Sequence, residues 1–400
     1  MQRKFFPSLK VYLFSFILLA SIAAGAITGY LWGPGALALK PLGDVFLNLL
    51  FIVVIPLVFF STSAAVAGMG SLQRVWRLLS VTLGIFVSTG LIAALFMLAI
   101  VLLFPPAPIM LLQQLPAVTP TTLLANQLVS IFTVSDFPQL FSRQHILALI
   151  VFALLMGLST AAMGEKGKPI THFLQLSNEV CLKAVSWVMY YAPVGFFAYF
   201  AVLIVQLGPQ IMSGYARVTV LYYLASLVYF VLFFSLYAYL AGRKTALKSF
   251  WRHVFLPLAT SIATCSSAAS IPVNLQATLR MRVPKDISET VVPLGAMLHK
   301  DGSVLGGVLK IAFLFSVYHL SFSGLGILIS VVLVALLVGI VMGAIPGGGM
   351  VAEMLILSLY GLPPEALMVV AAITLLIDLP ATALNVNGDS VAAMLVARVW

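Results

Sequence analysis

Charged residues are scarce in this sequence. Only 8% of its 400 residues are Asp, Glu, Lys or Arg, and 62% are hydrophobic. Because soluble domains contain about 25% charged residues, this composition excludes an ordinary soluble protein and indicates a polytopic membrane protein. Cysteine is also rare: Cys181 and Cys265 are the only two, which excludes a disulfide framework and a cysteine-type metal site.

The net charge of +10 does not indicate a nucleic-acid partner, because the basic residues lie at the ends of apolar runs and not in one patch. With the N-terminus inside, groups such as Arg74, Lys166 and Arg243 all fall on inner connections. This pattern predicts a multi-pass protein of the inner or plasma membrane with a cytoplasmic N-terminus. The first apolar run is long enough to span, so we interpret it as a helix and not as a signal peptide.

The apolar runs predict an all-α fold with eight transmembrane helices and two re-entrant helical hairpins. The hairpins are assigned to the weaker runs at about 247–282 and 325–361, which contain proline and small-residue clusters near their midpoints. The mixed stretch 105–143 is expected to lie outside the membrane with a broken helix. The predicted spans are 11–32, 43–69, 75–104, 145–163, 170–206, 214–241, 288–319 and 364–398.

An internal repeat supports this layout. The small-residue tips TCSSAASIP (264–272) and GAIPGGG (343–349) are each followed, at a similar separation, by a helix that carries a carboxylate, Asp301 or Asp378. Hairpins entering from opposite sides form an inverted repeat with its site near the middle of the membrane. Helix N-termini converging at the tips favour an anionic group such as a substrate carboxylate. The tip residues assigned to substrate binding are Ser266, Ser267, Ile345, Pro346 and Gly347.

The segment VVPLGAMLHKDGS (291–303) places three ionisable residues inside an apolar run. Each costs about 2.5–3.5 kcal/mol on insertion scales, so such residues line a cavity, pair or bind a ligand. Gly302 predicts a local break with unwound backbone. We expect Asp301, Asp389 and Lys300 to form one charge cluster in which the lysine supplies a tethered cation. A fixed buried salt bridge is the alternative, and His299 is either a satisfied core histidine or a ligand.

The last apolar run contains DLPATALNVNGDS, in which Asp378, Thr382, Asn385 and Asp389 share one helical face. We interpret this stripe as part of a binding site, although Asn and Thr also hold membrane helices together. Lys310 and Glu353 are further intramembrane charges without an obvious partner in the sequence.

At these segments the chain resembles the dicarboxylate/amino acid:cation symporter family, which includes glutamate transporters and an archaeal aspartate transporter. PLGDVFLNLLFIVVIPLVF resembles the family's second helix, SSAASIP its first tip, PLGAMLHKDGS its central motif, GAIPGGG its second tip and NVNGD its final-helix motif. The resemblance covers essentially the whole chain. It implies a homotrimer with a scaffold (1–70 and 106–206) and a transport domain (71–105 and 207–400) that moves like an elevator.

The resemblance also implies residue roles. Ser267 and Asn385 would hold the substrate α-carboxylate, and Ser303 would approach the substrate side chain. The α-amino group would meet Asp378 and Thr382. The expected sodium ligands are Asp301, Asn385 and Asp389, and the residues expected to couple a cation are His299, Lys300, Asp301, Asn385 and Asp389.

Two departures from the family pattern change the expected chemistry. Ala381 stands where carriers of acidic amino acids have an arginine, which favours a neutral amino acid. A C4-dicarboxylate or acidic amino acid is the alternative, and it would require Lys300 to turn toward the substrate. His299 and Lys300 replace the asparagine and methionine of the central motif. We therefore expect Lys300 to replace at least one sodium, with proton coupling or facilitated exchange instead, and the coupling cation is left open between Na⁺ and H⁺.

Three functional classes were compared. A channel would show a polar stripe along several helices, whereas the polar residues here lie mainly in the C-terminal third. A hydrolase could use Ser267, His299 and Asp301, but no nucleophile turn or metal-ligand pattern accompanies them. We therefore expect a secondary carrier that is not an enzyme and needs no organic cofactor. Its partners would be a small-molecule substrate, membrane lipid and copies of itself.

Overall fold

The computed structural model describes residues 10–68, 72–106, 133–142, 145–207, 210–342 and 348–400. The regular elements in these ranges are all helices, which confirms the predicted all-α class for this part of the chain. Three short 3₁₀ turns and a π turn at Tyr229–Phe233 accompany them. The helices are α1 (Lys10–Trp32), α2 (Lys40–Ala67), α3 (Leu72–Leu103), α4 (Ile146–Ala162), α5 (Lys168–Leu207), α6 (Gln210–Val228), α7 (Phe234–His253), α8 (Phe255–Thr264), α9 (Ser267–Arg280), α10 (Lys285–Leu298), α11 (Asp301–Val317), α12 (Leu325–Met342), α13 (Gly348–Tyr360) and α14 (Ala366–Val399).

Within the described ranges, 6 helical segments are long and apolar enough to cross a membrane. Shorter apolar helices include Phe255–Thr264 and Gly349–Tyr360, which belong to the two predicted hairpins. Most of the stretch predicted to lie outside the membrane, 107–132, falls beyond the described residues, as does the second tip at 343–347. The segments that are described support a multi-pass membrane protein.

The first predicted hairpin begins at a sharp change of chain direction. Gly242 and Arg243 interrupt α7 with non-helical backbone angles, a few residues before the predicted start at 247. The helices α8 and α9 pack against each other and are joined by Cys265 and Ser266. Cys265 adopts left-handed backbone angles (φ 46°), and the Ser266 hydroxyl accepts a hydrogen bond from the Ala269 N–H. This N-cap fixes the start of α9.

The predicted span 288–319 is divided into two helices. The break lies at His299 and Lys300, whose backbone is not helical, and not at Gly302 as the sequence suggested. Gly302 belongs to the first turn of α11, where a Cβ atom would collide with the carbonyl oxygen of Ala381 in α14. The glycine is therefore required for the close approach of two helices and not for unwinding.

The helices pack in two groups. In the first, α1, α2 and α4 each contact α5, and Gly25 and Gly29 of α1 lie against backbone carbonyl groups of α5. In the second, α11 and α14 form the centre, and α3 and the helices from α6 to α13 contact one or both of them. Helix α11 is buried along nearly all of its length, and α14 continues through Pro380 without a break. The site described below surrounds the contact between α11 and α14.

Candidate functional site

A cavity of about 370 Å³ lies beside the α11–α14 contact. This volume falls at the small end of the range of about 300–1,000 Å³ typical of ligand pockets. Leu18 of α1 and Met189 and Phe196 of α5 form an apolar part of its wall. The predicted substrate-binding residues that line it are Ser266, Ser267, Ser303, Asp378, Ala381, Thr382 and Asn385. Ile345, Pro346 and Gly347 fall outside the described residues.

One acidic group on the cavity wall, Asp378, is not ion-paired within the described residues. The hydroxyl of Thr382 donates to Oδ1 of Asp378 over 3.4 Å, because the two residues are one helical turn apart on α14. No Lys, Arg or His in the described ranges forms an ion pair with Asp378. The carboxylate is therefore available to a cationic group in the cavity.

Asn385 connects the two central helices. Its Oδ1 accepts hydrogen bonds from the backbone N–H groups of Gly302 (2.9 Å) and Ser303 (3.3 Å), and its Nδ2 donates to the Ser303 hydroxyl (3.1 Å). The first N–H groups of a helix lack partners within the helix, so Asn385 acts as a cap supplied from α14. Tyr222 adds a hydrogen bond from its hydroxyl to the Gly302 carbonyl oxygen at 2.6 Å.

Lys300 does not join Asp301 and Asp389, which corrects the predicted charge cluster. Its buried ammonium donates to the Ser267 hydroxyl over 2.8 Å and lines the cavity. Within the described part of the chain, no carboxylate lies at ion-pair distance from it. The side chains of His299 and Lys300 diverge from the break between α10 and α11, since one reaches Asp389 and the other the Ser267 hydroxyl.

His299 takes the position that the sequence assigned to Lys300. Its Nδ1 lies 3.0 Å from Oδ1 of Asp389, and its Nε2 lies 3.2 Å from Oδ1 of Asp301. All three side chains are buried, with exposed fractions of 1–2%. Of the two interpretations left open for His299, the geometry fits the satisfied core histidine, since both ring nitrogens have partners within the protein.

Two hydroxyl groups that the sequence did not single out complete this cluster. Thr89 of α3 has its Oγ1 2.7 Å from His299 Nε2 and 3.2 Å from Asp301 Oδ1. Tyr229 donates its phenol hydrogen to Oδ2 of Asp301 over 3.1 Å. The available sequence signals were a threonine and a tyrosine inside apolar runs. The π turn that contains Tyr229, a feature frequent at functional sites, is seen only in the structure.

A buried ion pair also lies on the cavity wall. The ammonium of Lys310 in α11 donates to Oε1 of Glu353 in α13 over 3.0 Å, and the hydroxyl of Thr374 donates to the same oxygen. Oε2 of Glu353 is buried and has no hydrogen-bond partner among the described residues. The two charges that lacked a partner in the sequence are thus partners of each other.

The model of the Sodium:dicarboxylate symporter family matches residues 14–399. The chain belongs to this family. Sodium:dicarboxylate symporters are transporters and not enzymes, which confirms the resemblance and the non-enzyme prediction. The alternative hydrolase triad is also not assembled, because Ser267 bonds to Lys300 while His299 contacts Asp301 and Asp389.

The relatives that match the chain include both glutamate symporters and a neutral amino acid transporter. The proton/sodium-glutamate symport protein of Bacillus caldotenax is 28% identical and aligns over 95% of this chain and 92% of its own. The proton/glutamate-aspartate symporter of Bacillus subtilis (strain 168) is 26% identical over 96% of this chain and 94% of its own. The neutral amino acid transporter B(0) of Rattus norvegicus is 29% identical, but over 64% of this chain and 47% of its own.

Proposed function

We propose that this protein is a secondary active transporter that carries a small amino acid across the cell membrane together with a cation. One observation carries the proposal: the same cavity presents a carboxylate, Asp378, and an ammonium, Lys300, neither of which is ion-paired within the described chain. A zwitterion supplies the opposite charge to each. Its ammonium would bind Asp378 and Thr382, and its carboxylate would bind Lys300 and Ser267.

A neutral amino acid is the first candidate substrate. Ala381 offers no positive charge for a side-chain carboxylate, and a buried anion without a partner is strongly disfavoured. The apolar wall formed by Leu18, Met189 and Phe196 suits an aliphatic side chain. The relative named as a neutral amino acid transporter agrees with this assignment.

An acidic amino acid or a C4-dicarboxylate is the second candidate, and one observation favours it. Lys300 faces the cavity, which is the arrangement that this alternative requires. The relatives named as glutamate symporters lend further support. A dicarboxylate without an amine, however, would leave Asp378 with no cationic partner.

The transport cycle that we propose uses eight spans and two hairpins in a homotrimer embedded in lipid, with the N-terminus in the cytoplasm. Residues 1–70 and 106–206 would form the scaffold, and residues 71–105 and 207–400 would move with the substrate. The division of the helices into two groups supports this scheme. Apart from Leu18, Met189 and Phe196, the residues that line the cavity belong to the second group, so movement of that group past the first would carry the polar wall of the cavity with it.

The coupling cation is sodium or a proton. The expectation that Lys300 replaces sodium loses its geometric basis, because its ammonium lies beside Ser267 and not between the carboxylates. If the coupled cation is a proton, we place its carrier instead at the cluster of His299, Asp301 and Asp389, with Thr89 and Tyr229 as supporting hydrogen-bond partners.

Counterflow in liposomes tests the proposed function. Purified protein is reconstituted with unlabelled neutral amino acids, acidic amino acids or C4-dicarboxylates inside, and uptake of the labelled compound is measured. We expect neutral amino acids to exchange. Faster exchange of dicarboxylates would favour the second candidate, and no exchange with any class would overturn the carrier assignment.

The variant Asp378→Asn tests the zwitterion site directly. A neutral amide cannot balance the substrate ammonium, so we expect binding of amine-bearing ligands to be abolished in isothermal titration calorimetry. Asp44→Asn is the matched control, because Asp44 is half-exposed and pairs with Lys40 away from the cavity. Unchanged affinity for amines in Asp378→Asn would contradict the proposed site.

A further inference from the structure

The space between Asp301 and Asp389 is filled by a side chain of the protein itself. Asp301 begins α11 and Asp389 lies on α14, and the imidazole of His299 spans the gap with one ring nitrogen toward each. The oxygens that face the gap, Oδ1 of each residue, are the two that contact the ring. The cluster thus has a built-in group where a sodium ion would be expected.

Further hydrogen-bond positions of the Asp301 carboxylate are also occupied. Thr89 donates to Oδ1 of Asp301, and Tyr229 donates to Oδ2. Sodium is a hard cation that prefers oxygen ligands, and a nearby imidazole nitrogen is a poor replacement for one. An ion entering here would have to displace both the ring and the hydroxyl hydrogens that point at the same oxygens.

Packing prevents the ring from moving aside. The Phe86 ring stacks on the imidazole, with ring centroids 4.4 Å apart and planes inclined by 15°. Gly388 of α14 also adjoins the ring: a Cβ atom there would lie 3.2 Å from Cε1 of His299. Gly295 is similarly close to Asp389, whose carboxylate a Cβ atom would strike. The imidazole of His299 and the carboxylate of Asp389 therefore each pack against a glycine. A larger residue at either glycine would push the ring or the carboxylate out of place.

We propose that the imidazole of His299 takes the place of a sodium ion between Asp301 and Asp389, so that these carboxylates do not bind sodium. The volume of the imidazole ring and its contacts occupy the gap in either protonation state of the ring. The inference extends the proposed function, and its consequence for transport rests on that function. A covalently attached group is neither taken up nor released, so this position cannot draw work from a sodium gradient, and any sodium that is coupled must bind elsewhere.

Thermal stability tests the inference without requiring a substrate. A ligand that binds the folded state raises its stability, so sodium bound by these carboxylates would raise the unfolding temperature relative to choline at the same ionic strength and pH. We expect the sodium-dependent rise to be equal in the wild-type protein and in Asp389→Asn. A rise in the wild-type protein that Asp389→Asn removes would overturn the proposal.

The variant His299→Asn supplies the converse test. The shorter amide vacates part of the gap and offers an oxygen, so we expect it to gain a sodium-dependent rise in the unfolding temperature. In exchange assays, sodium should then raise its substrate affinity by about 10-fold, a usual size for coupling between two ligands. His253→Asn is the control, because the Nδ1 of His253 contacts only the Ser249 carbonyl oxygen.

The results separate this inference from the proposed function. If His299→Asn is correctly folded by gel filtration and still shows no response to sodium, that result would count against the inference. If that variant aggregates, the comparison of the wild-type protein with Asp389→Asn still decides. Failure of every substrate to exchange would overturn the transporter proposal while leaving the sodium result intact.

Discussion

The two helix groups hold together by different means. In the first group, α1 and α5 approach through small residues, and Gly25 and Gly29 contact backbone carbonyl groups of the neighbouring helix. In the second group lie all the buried side chains of the Asp, Glu, Lys and His types that the structure describes, from His299 to Asp389. Buried charge in a membrane protein is costly and marks function. The contrast indicates that the first group has a structural role and that the second group contains the functional side chains.

The largest expected effect comes from removing one charge of the second group. Lys310→Met leaves Glu353 buried without its cation, and breaking such a pair costs about 3–5 kcal/mol. We expect the free energy of unfolding in detergent to fall by that amount. Lys40→Met is the matched control: its pair with Asp44 is roughly half-exposed (48% and 44%), so its loss should cost about 1 kcal/mol or less. Equal losses in the two variants would remove the distinction between buried and surface charge.

A smaller effect is expected where a buried charge serves binding. Lys300→Met keeps the length of the side chain but removes the ammonium, and a hydrogen bond to a charged group contributes about 1.5–3 kcal/mol. We expect substrate affinity to fall about 10- to 100-fold by titration calorimetry, with little change in unfolding. Lys285→Met provides the control, since that ammonium is 75% exposed and pairs with Glu289. Unaltered affinity in Lys300→Met would show that the cavity does not use this cation.

The smallest effect is expected in the first group. Gly25→Ala places a methyl group against the carbonyl oxygen of Phe197, and overpacking of this kind costs about 1–3 kcal/mol. Substrate affinity per folded molecule should not change. Gly84→Ala is the control, because no atom lies within 4 Å of a Cβ placed there. If both alanine variants unfold alike, close packing does not explain the contact between α1 and α5.

The sequence predicted the features that depend on local pattern. Apolar runs gave the helices, the cluster TCSSAASIP gave the turn at Cys265 and Ser266, and helical spacing placed Asp378 and Thr382 together. The break between α10 and α11 was predicted in the right segment but at the wrong residue. Gly302 was taken as the site of the break, whereas the glycine is needed there for the close contact with α14.

Features that depend on side-chain direction were not predictable. His299 and Lys300 are neighbours, and nothing in their order states which one faces Asp389. Lys310 and Glu353 are 43 positions apart, so their pairing requires the packed helices. Thr89 and Tyr229 come from distant helices and reach Asp301 only in the folded protein.

The hydrogen bond from Lys300 to Ser267 joins the first hairpin to whatever the cavity holds. An ammonium has three donors, so a substrate carboxylate could bind Lys300 while the bond to Ser267 persists. Cys265, two residues before Ser267, has backbone angles that non-glycine residues seldom adopt. A ligand held by Lys300 would therefore be linked, through one serine, to the first turn of α9 next to the bend of the hairpin.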